Sequence, residues 1–349
     1  MIPMKNKNEN IVIFRTDRIG EVLLSTVAVT MIKERFPEAG ITFVTSEYSK
    51  PLVEGQKDIE KILTADTFSK ERLFLKAIYL AGSLRKGRFK TAIILNPHKM
   101  LHLACFLAGI PNRIGYDRKW GKLLSRSIED GRTRGDKHET EYTTDLLKEI
   151  GIVGPTPAPR LFIDGKAEII VDDFITEQGL ENCKPLIAIH PGSSNPAKIW
   201  SEDKYISLLR KLNSEIDCHI AIVGQEEARE AAGRIIEKSG VAALNSSGMF
   251  DLKELAAFLR RADLFIGSDT GPMHMAAALD VPVIAIFGRN IPGAGPVRWG
   301  PVGDNHVVLH RPCKSEKCYD SKCPYGYKCL DNITVDAVFN AAASSLANR

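Results

Sequence analysis

Short apolar runs alternate along this chain with stretches of helical spacing. Residues 10–14, 41–45 and 91–95 read as buried strands, and 113–116 as a strand end. Between them, 21–35, 71–84, 101–107 and 141–150 place apolar side chains at helical intervals. The Pro-rich stretch 154–160 breaks the pattern, and a helix over 166–178 stops at Gly179. The alternation then restarts, with strands at 186–190, 219–223, 264–266 and 281–287 and helices at 200–212, 226–238, 252–260 and 273–279. Strand–helix alternation predicts parallel sheets covered by helices. Two such runs predict an α/β protein of two Rossmann-like domains, 1–165 and 166–334, joined near 154–184, with the ligand in the cleft between them. A last helix, within 335–349, is expected to pack back on the first domain.

At 349 residues the chain is long enough for two full cores. A net charge of +4 is too mild to point to nucleic acid. No apolar run has the length of a membrane span, and 11–14 is too short for a signal-peptide core, so a cytoplasmic protein is expected. Of seven cysteines, Cys105, Cys183 and Cys218 fall in helix or strand patterns and read as buried thiols. Cys313, Cys318, Cys323 and Cys329 cluster, with four residues in each of the first two intervals and five in the third; a structural metal is kept as the lesser reading beside plain thiols.

Three loops follow strands and carry candidate chemistry. In the first, Gly20 permits a sharp turn and Glu21 opens the next helix, either as a dipole-matched acid or as a cleft-facing carboxylate. In the second, Gly192, Ser193 and Ser194 offer donors and Lys198 a mobile cation, a set suited to a leaving diphosphate. Its bland alternative is a solvated surface loop, against which Trp200 argues as an anchor. In the third, Asp269, Thr270 and Gly271 stand at the mouth of a helix with Pro272 in its first turn, where N–H groups and the helix dipole attract phosphate. His274 follows within one turn. Glu226 or Glu227, after the strand at 219–223, is either a ribose ligand or an ordinary helix-start acid. The chain lacks Gly-x-Gly-x-x-Gly after its first strand, a Gly-Lys-Ser/Thr phosphate loop and an Asp-x-Asp pair, which disfavours dehydrogenases, P-loop enzymes and metal-dependent sugar transferases.

Together, Arg15-Thr-Asp17-Arg-Ile19-Gly20-Glu21, His190-Pro-Gly192…Ala-Lys198-Ile-Trp200 and Asp269-Thr-Gly271-Pro-Met-His274-Met-Ala-Ala277 resemble the bacterial lipopolysaccharide heptosyltransferases, glycosyltransferase family 9. The resemblance implies a GT-B fold and inverting, metal-independent transfer of heptose from ADP-heptose to a Kdo or heptose of the lipopolysaccharide inner core. It places Glu21, an Asp in better-known members, as the catalytic base. Lys198 would neutralise the donor phosphates. Ser193, Ser194, Asp269, Thr270, Gly271 and His274 would line the donor site, and Glu226 is the nearest match to the ribose-binding acid. Arg18, Arg113, Arg118 and His138 stand in the first domain, where the anionic acceptor is expected; His138-Glu139 matches the family's His-x-x-Glu region only loosely. No cofactor and no nucleic acid are implied.

Two other readings stay open: a family member using another nucleotide-sugar, and a silent nucleotide-sugar-binding protein, which would have no need of Glu21. The segment 70–86 mixes basic and apolar residues. It reads as a packed helix or as a peripheral contact with the inner face of the inner membrane.

Overall fold

The structure, a computed structural model, describes residues 9–69, 71–181, 184–313 and 318–347. Lys70 and Cys183, singled out above, lie outside them. The chain divides into two compact units, Met1–Phe162 and Ile163–Arg349.

The first unit carries strands β1 (Ile11–Phe14), β2 (Ile41–Thr45), β3 (Lys61–Thr64), β4 (Thr91–Ile94), β5 (Asn112–Tyr116) and β6 (Arg126–Ile128). The second carries β7 (Leu186–His190), β8 (His219–Ile222), β9 (Leu244–Asn245), β10 (Leu264–Ser268), β11 (Val283–Phe287) and β12 (Val307–His310). The sheets run β3-β2-β1-β4-β5-β6 and β12-β11-β10-β7-β8-β9. Every pairing is parallel. Counted from its own first strand, each sheet has the doubly wound order 3-2-1-4-5-6. The central strands β1, β4, β7, β10 and β11 are buried throughout, as parallel strands covered on both faces must be.

Order reverses between β1 and β4 in the first sheet and between β7 and β10 in the second. Ligands of such sheets bind outside the carboxyl ends of the strands at this switch point. The three loops read from the sequence follow β1, β7 and β10, the strands that flank it.

The pattern missed β3, β6, β9 and β12, which lie at or next to the sheet edges. They are short and half-exposed; β12 nonetheless carries a three-residue apolar run, Val307-Val308-Leu309. The helix expected over 21–35 is interrupted: Ile19–Leu24 and Thr26–Arg35 meet at Ser25. There the Ser25 hydroxyl donates to the Glu21 carbonyl at 2.7 Å and the Thr26 hydroxyl to the Leu23 carbonyl at 2.8 Å, side-chain bonds that compete with the helical ladder. The helix expected from 200 begins at Glu202.

The C-terminal helix, Val335–Ala347, is part of the second unit. Its buried Val338, Phe339 and Ala342 belong to the core of the second unit with Leu208, Leu212, Ile284 and Ile286. Its apolar stripe is covered by its own sheet and by the Glu202–Glu215 helix.

Candidate functional site

In the second unit the β7 and β10 loops are tied together. Lys198 ends a short 3-10 turn, Pro196–Lys198, capped by Asn195. Its Nζ donates to the Asp269 carbonyl at 2.8 Å and stands 2.7 Å from Asp269 Oδ2. The Ser268 hydroxyl donates to the Lys198 carbonyl. Trp200 is buried and its indole N–H donates to the Ile333 carbonyl at 3.0 Å, so it is the loop anchor that the sequence suggested. Gly288, after β11, allows the close approach: a Cβ there would stand 2.4 Å from the Ala197 carbonyl oxygen.

Asp269 is the hub. Its buried carboxylate meets Lys198, Arg289 Nη2 at 3.0 Å and His274 Nε2 at 3.6 Å. Burial alone would raise its pKa; the His274 hydrogen bond and the Lys198 charge outweigh it and hold the carboxyl at about 2. It is therefore a fixed anion that positions two cations rather than a proton carrier. Thr270 is the N-cap of the Gly271–Ala278 helix, with Pro272 in its first turn and no side chain bonded into the cap. Two of the three Lys198 N–H donors go to Asp269. Among the described residues no hydrogen-bond partner is found for the third, beside the positive end of the helix. His274 is buried with its Nδ1 unpartnered.

The other donor candidates are more peripheral. Ser193 Oγ accepts the Asn195 amide, while Ser194 is exposed. Glu226 opens a 3-10 turn after β8 and holds Arg229 through both oxygens, at 2.8 and 2.9 Å. The sequence reading missed Arg289. It sits beyond β11 in a left-handed conformation (φ 56°), outside any motif quoted above, and its side chain also lies 3.8 Å from Asp320.

In the first unit the β1 loop is built on a buried ion network. Arg15 Nε donates to Asp17 at 2.7 Å, and its Nη2 lies 3.0 Å from Glu139. Glu139 also faces Arg132 at 3.7 Å, and Arg132 grips Asp130 through Nε and Nη2 at 2.8 and 2.9 Å. Arg132 lies over the Tyr116 ring, 4.2 Å from its centre. Burial would lower the Arg15 pKa, but Asp17, Glu139 and Glu21 together drive it upward. Asp130 is held at about 2 because its bonds with Arg132 and Arg118 outweigh burial. At the switch point Asn96 donates to the Thr16 hydroxyl at 3.0 Å. Glu21 lies half-buried in the first turn of the Ile19–Leu24 helix, and Arg18 caps that helix exposed.

The acceptor candidates separate. Arg118 is exposed and pairs with Asp130 at 3.1 Å. His138 caps the Glu139–Leu147 helix in a capping box, its Nδ1 accepting from the Thr140 amide. Arg113 is engaged by its own turn. It stands near the amino end of β5, away from the carboxyl edge, and its guanidinium donates to the carbonyls of Ile110, Pro111 and Leu123. It ties down a turn.

Cys313, Cys318, Cys323 and Cys329 line one cavity with Arg289 and Asp320 and form no disulfide. As they lie, no three Cys, His, Asp or Glu side chains among the described residues are arranged to hold an ion.

Two doubly wound sheets with their loops at matching switch points define the GT-B class. The fold is similar to that of a family 9 glycosyl transferase from Veillonella parvula (21% identity, TM-score 0.86, covering 99% of this chain and all of that one). It is also similar to Escherichia coli heptosyltransferase WaaC with ADP (19% identity, TM-score 0.71, covering 96% and 99%). In sequence the chain is 26% identical over 300 residues to lipopolysaccharide heptosyltransferase 2 of Salmonella typhimurium, covering 80% of this chain and 82% of the relative. The family description Glycosyltransferase family 9 (heptosyltransferase) matches residues 78–328, and the chain belongs to that family.

Proposed function

We propose that the protein transfers heptose from ADP-heptose to a Kdo or heptose of the lipopolysaccharide inner core, with inversion and without a metal. Family membership and the heptosyltransferase relatives support the reaction class, and the ADP-bound neighbour supports the nucleotide. The observation that carries the donor site is the Asp269 hub. It sets Lys198 and Arg289 at the mouth of a helix whose cap no side chain fills. A diphosphate there meets an ammonium donor and the helix dipole together. Thr270 and Gly271 lie where its oxygens would sit, with Ser193, Ser194, His274 and Glu226 as surrounding donor residues.

Glu21 is the base of this reading, with Arg18, Arg118 and His138 as acceptor residues. Its carboxylate takes the acceptor hydroxyl proton as that oxygen attacks the anomeric carbon. The bond to ADP breaks on the opposite face, and Lys198 and the helix terminus stabilise the departing phosphate charge. A lipid-linked acceptor places this chemistry at the cytoplasmic face of the inner membrane.

Calorimetry with ADP-, UDP-, GDP- and dTDP-sugars tests the donor, and ADP-heptose should bind tightest. Lys198→Ala combined with Thr270→Val should weaken ADP binding at least tenfold, since one charge-assisted hydrogen bond alone contributes about 1.5–3 kcal/mol. Unchanged ADP affinity would show that the phosphates bind elsewhere. Turnover should persist in EDTA, because Lys198 and Arg289 supply the positive charge. Activity lost to EDTA and restored by magnesium would refute metal independence.

A further inference from the structure

The Leu73–Lys86 helix faces inward through Ala77, Leu80, Ala81 and Leu84. Its opposite side would ordinarily be polar. Instead Phe74, Leu75, Ile78 and Tyr79 are 62%, 63%, 58% and 82% exposed. They form two i, i+4 rows along its first turns. Phe68 just upstream is also exposed, and Trp120 adds a further exposed ring 6.0 Å from Phe74. Solvent-facing aromatic and aliphatic side chains clustered this densely mark an interaction surface.

The charge around the patch selects the partner. Between Glu71 and Asp117 the chain has no acidic residue, and it carries Arg72, Lys76, Arg85, Lys86, Arg88, Lys90, Lys99 and Arg113. Lys76 is neutralised by Asp66 at 2.6 Å, and Arg85 donates to the Leu107 carbonyl. Arg72, Lys86 and Lys99 remain exposed on the rim, joined by Lys119 and Lys122 from the loop that carries Trp120. Lys99 Nζ lies 5.4 Å from the Trp120 ring centre. Apolar side chains flanked by Lys and Arg, with Trp and Tyr among them, match the edge of an anionic leaflet, where rings enter the headgroup boundary and cations meet lipid phosphates. No helix of the described residues is long and apolar enough to cross a membrane, so the contact is peripheral.

We infer that the exposed face of the Leu73–Lys86 helix, with Trp120 and its basic rim, docks the first unit onto an anionic lipid leaflet. The inference extends the proposed function but stands apart from it. Failure of ADP to bind would sink the donor assignment and leave this surface untouched.

Co-sedimentation of the full chain with vesicles tests it. Equal parts of phosphatidylglycerol and phosphatidylcholine should capture the protein, and phosphatidylcholine alone should capture at least tenfold less. Ile78→Glu with Tyr79→Glu should lower capture by anionic vesicles at least tenfold. Lys86→Glu with Lys122→Glu, which spares the apolar face, should lower it several-fold and flatten its salt dependence. Both double variants should keep wild-type ADP affinity by calorimetry. Wild-type protein that ignores anionic vesicles would overturn the inference. So would a concentration-dependent dimer in ultracentrifugation that Ile78→Glu with Tyr79→Glu abolishes, which would make the occupant a second copy of the chain.

Discussion

Glu21→Gln is expected to lower kcat by roughly a hundredfold or more, the usual range for losing a general base, while donor Kd stays nearly unchanged. Glutamine keeps the size and the hydrogen-bonding capacity of the side chain but cannot take a proton from the acceptor. Glu21→Asp keeps the charge, shortens the reach and should be milder. The neighbouring carboxylate, Asp17, is already engaged by the Arg15 guanidinium at 2.7 Å. Arg15 is in turn fixed by Glu139, so the loop after β1 is electrostatically braced before substrate arrives. Measuring kcat with the natural acceptor beside donor Kd separates the two carboxylates. Wild-type kcat in Glu21→Gln would move the role to Asp17.

Asp269→Asn should destabilise the second unit by about 3–5 kcal/mol, the usual cost of removing one partner from a buried ion pair. Lys198 and Arg289 would be left facing each other without their shared anion. ADP affinity should fall as well, because Lys198 would lose the carboxylate that aims it. The pH dependence has a defined sign. The folded-state pKa of about 2 lies below the ordinary carboxylate value. The contribution is therefore fully present above pH 4 and is lost as pH falls toward 2. Its size is about 2–3 kcal/mol. Asp130, also held at about 2, titrates in the same window, so the informative comparison is the acid limb of wild type against that of Asp269→Asn. Denaturant unfolding at pH 7 and along that limb reads both effects. An Asn variant as stable as wild type at pH 7 would remove Asp269 from its place as hub.

Much of the site was legible because its loops are local. A strand end, a tight polar turn and a helix start lie within a dozen residues, and composition alone marks them. Thr270 at the cap, Pro272 in the first turn and Trp200 as an anchor follow from such short-range rules. The partners of these residues were not legible. Arg289 reaches Asp269 from the far side of β11, and Glu139 reaches Arg15 from a helix more than a hundred residues on. An ion pair of that separation leaves no periodic trace in a sequence. The turn partners of Arg113, the Leu123 and Pro111 carbonyls, were likewise not legible.

The sequence by itself determined the class of fold and the family. Apolar periodicity and strand-end loops are set by neighbours a few residues apart, and each half repeats them. Tertiary structure alone decided three things: the edge strands, which are too short to stand out from the loops around them; the side of the C-terminal helix, whose apolar stripe would fit any core; and the outer face of the Leu73–Lys86 helix. The sequence left that segment open between a packed helix and a membrane contact; folding directs Ala77, Leu80, Ala81 and Leu84 inward and leaves Phe74, Leu75, Ile78 and Tyr79 in solvent. Burial belongs to the packed chain, because a side chain is inside only when another element covers it.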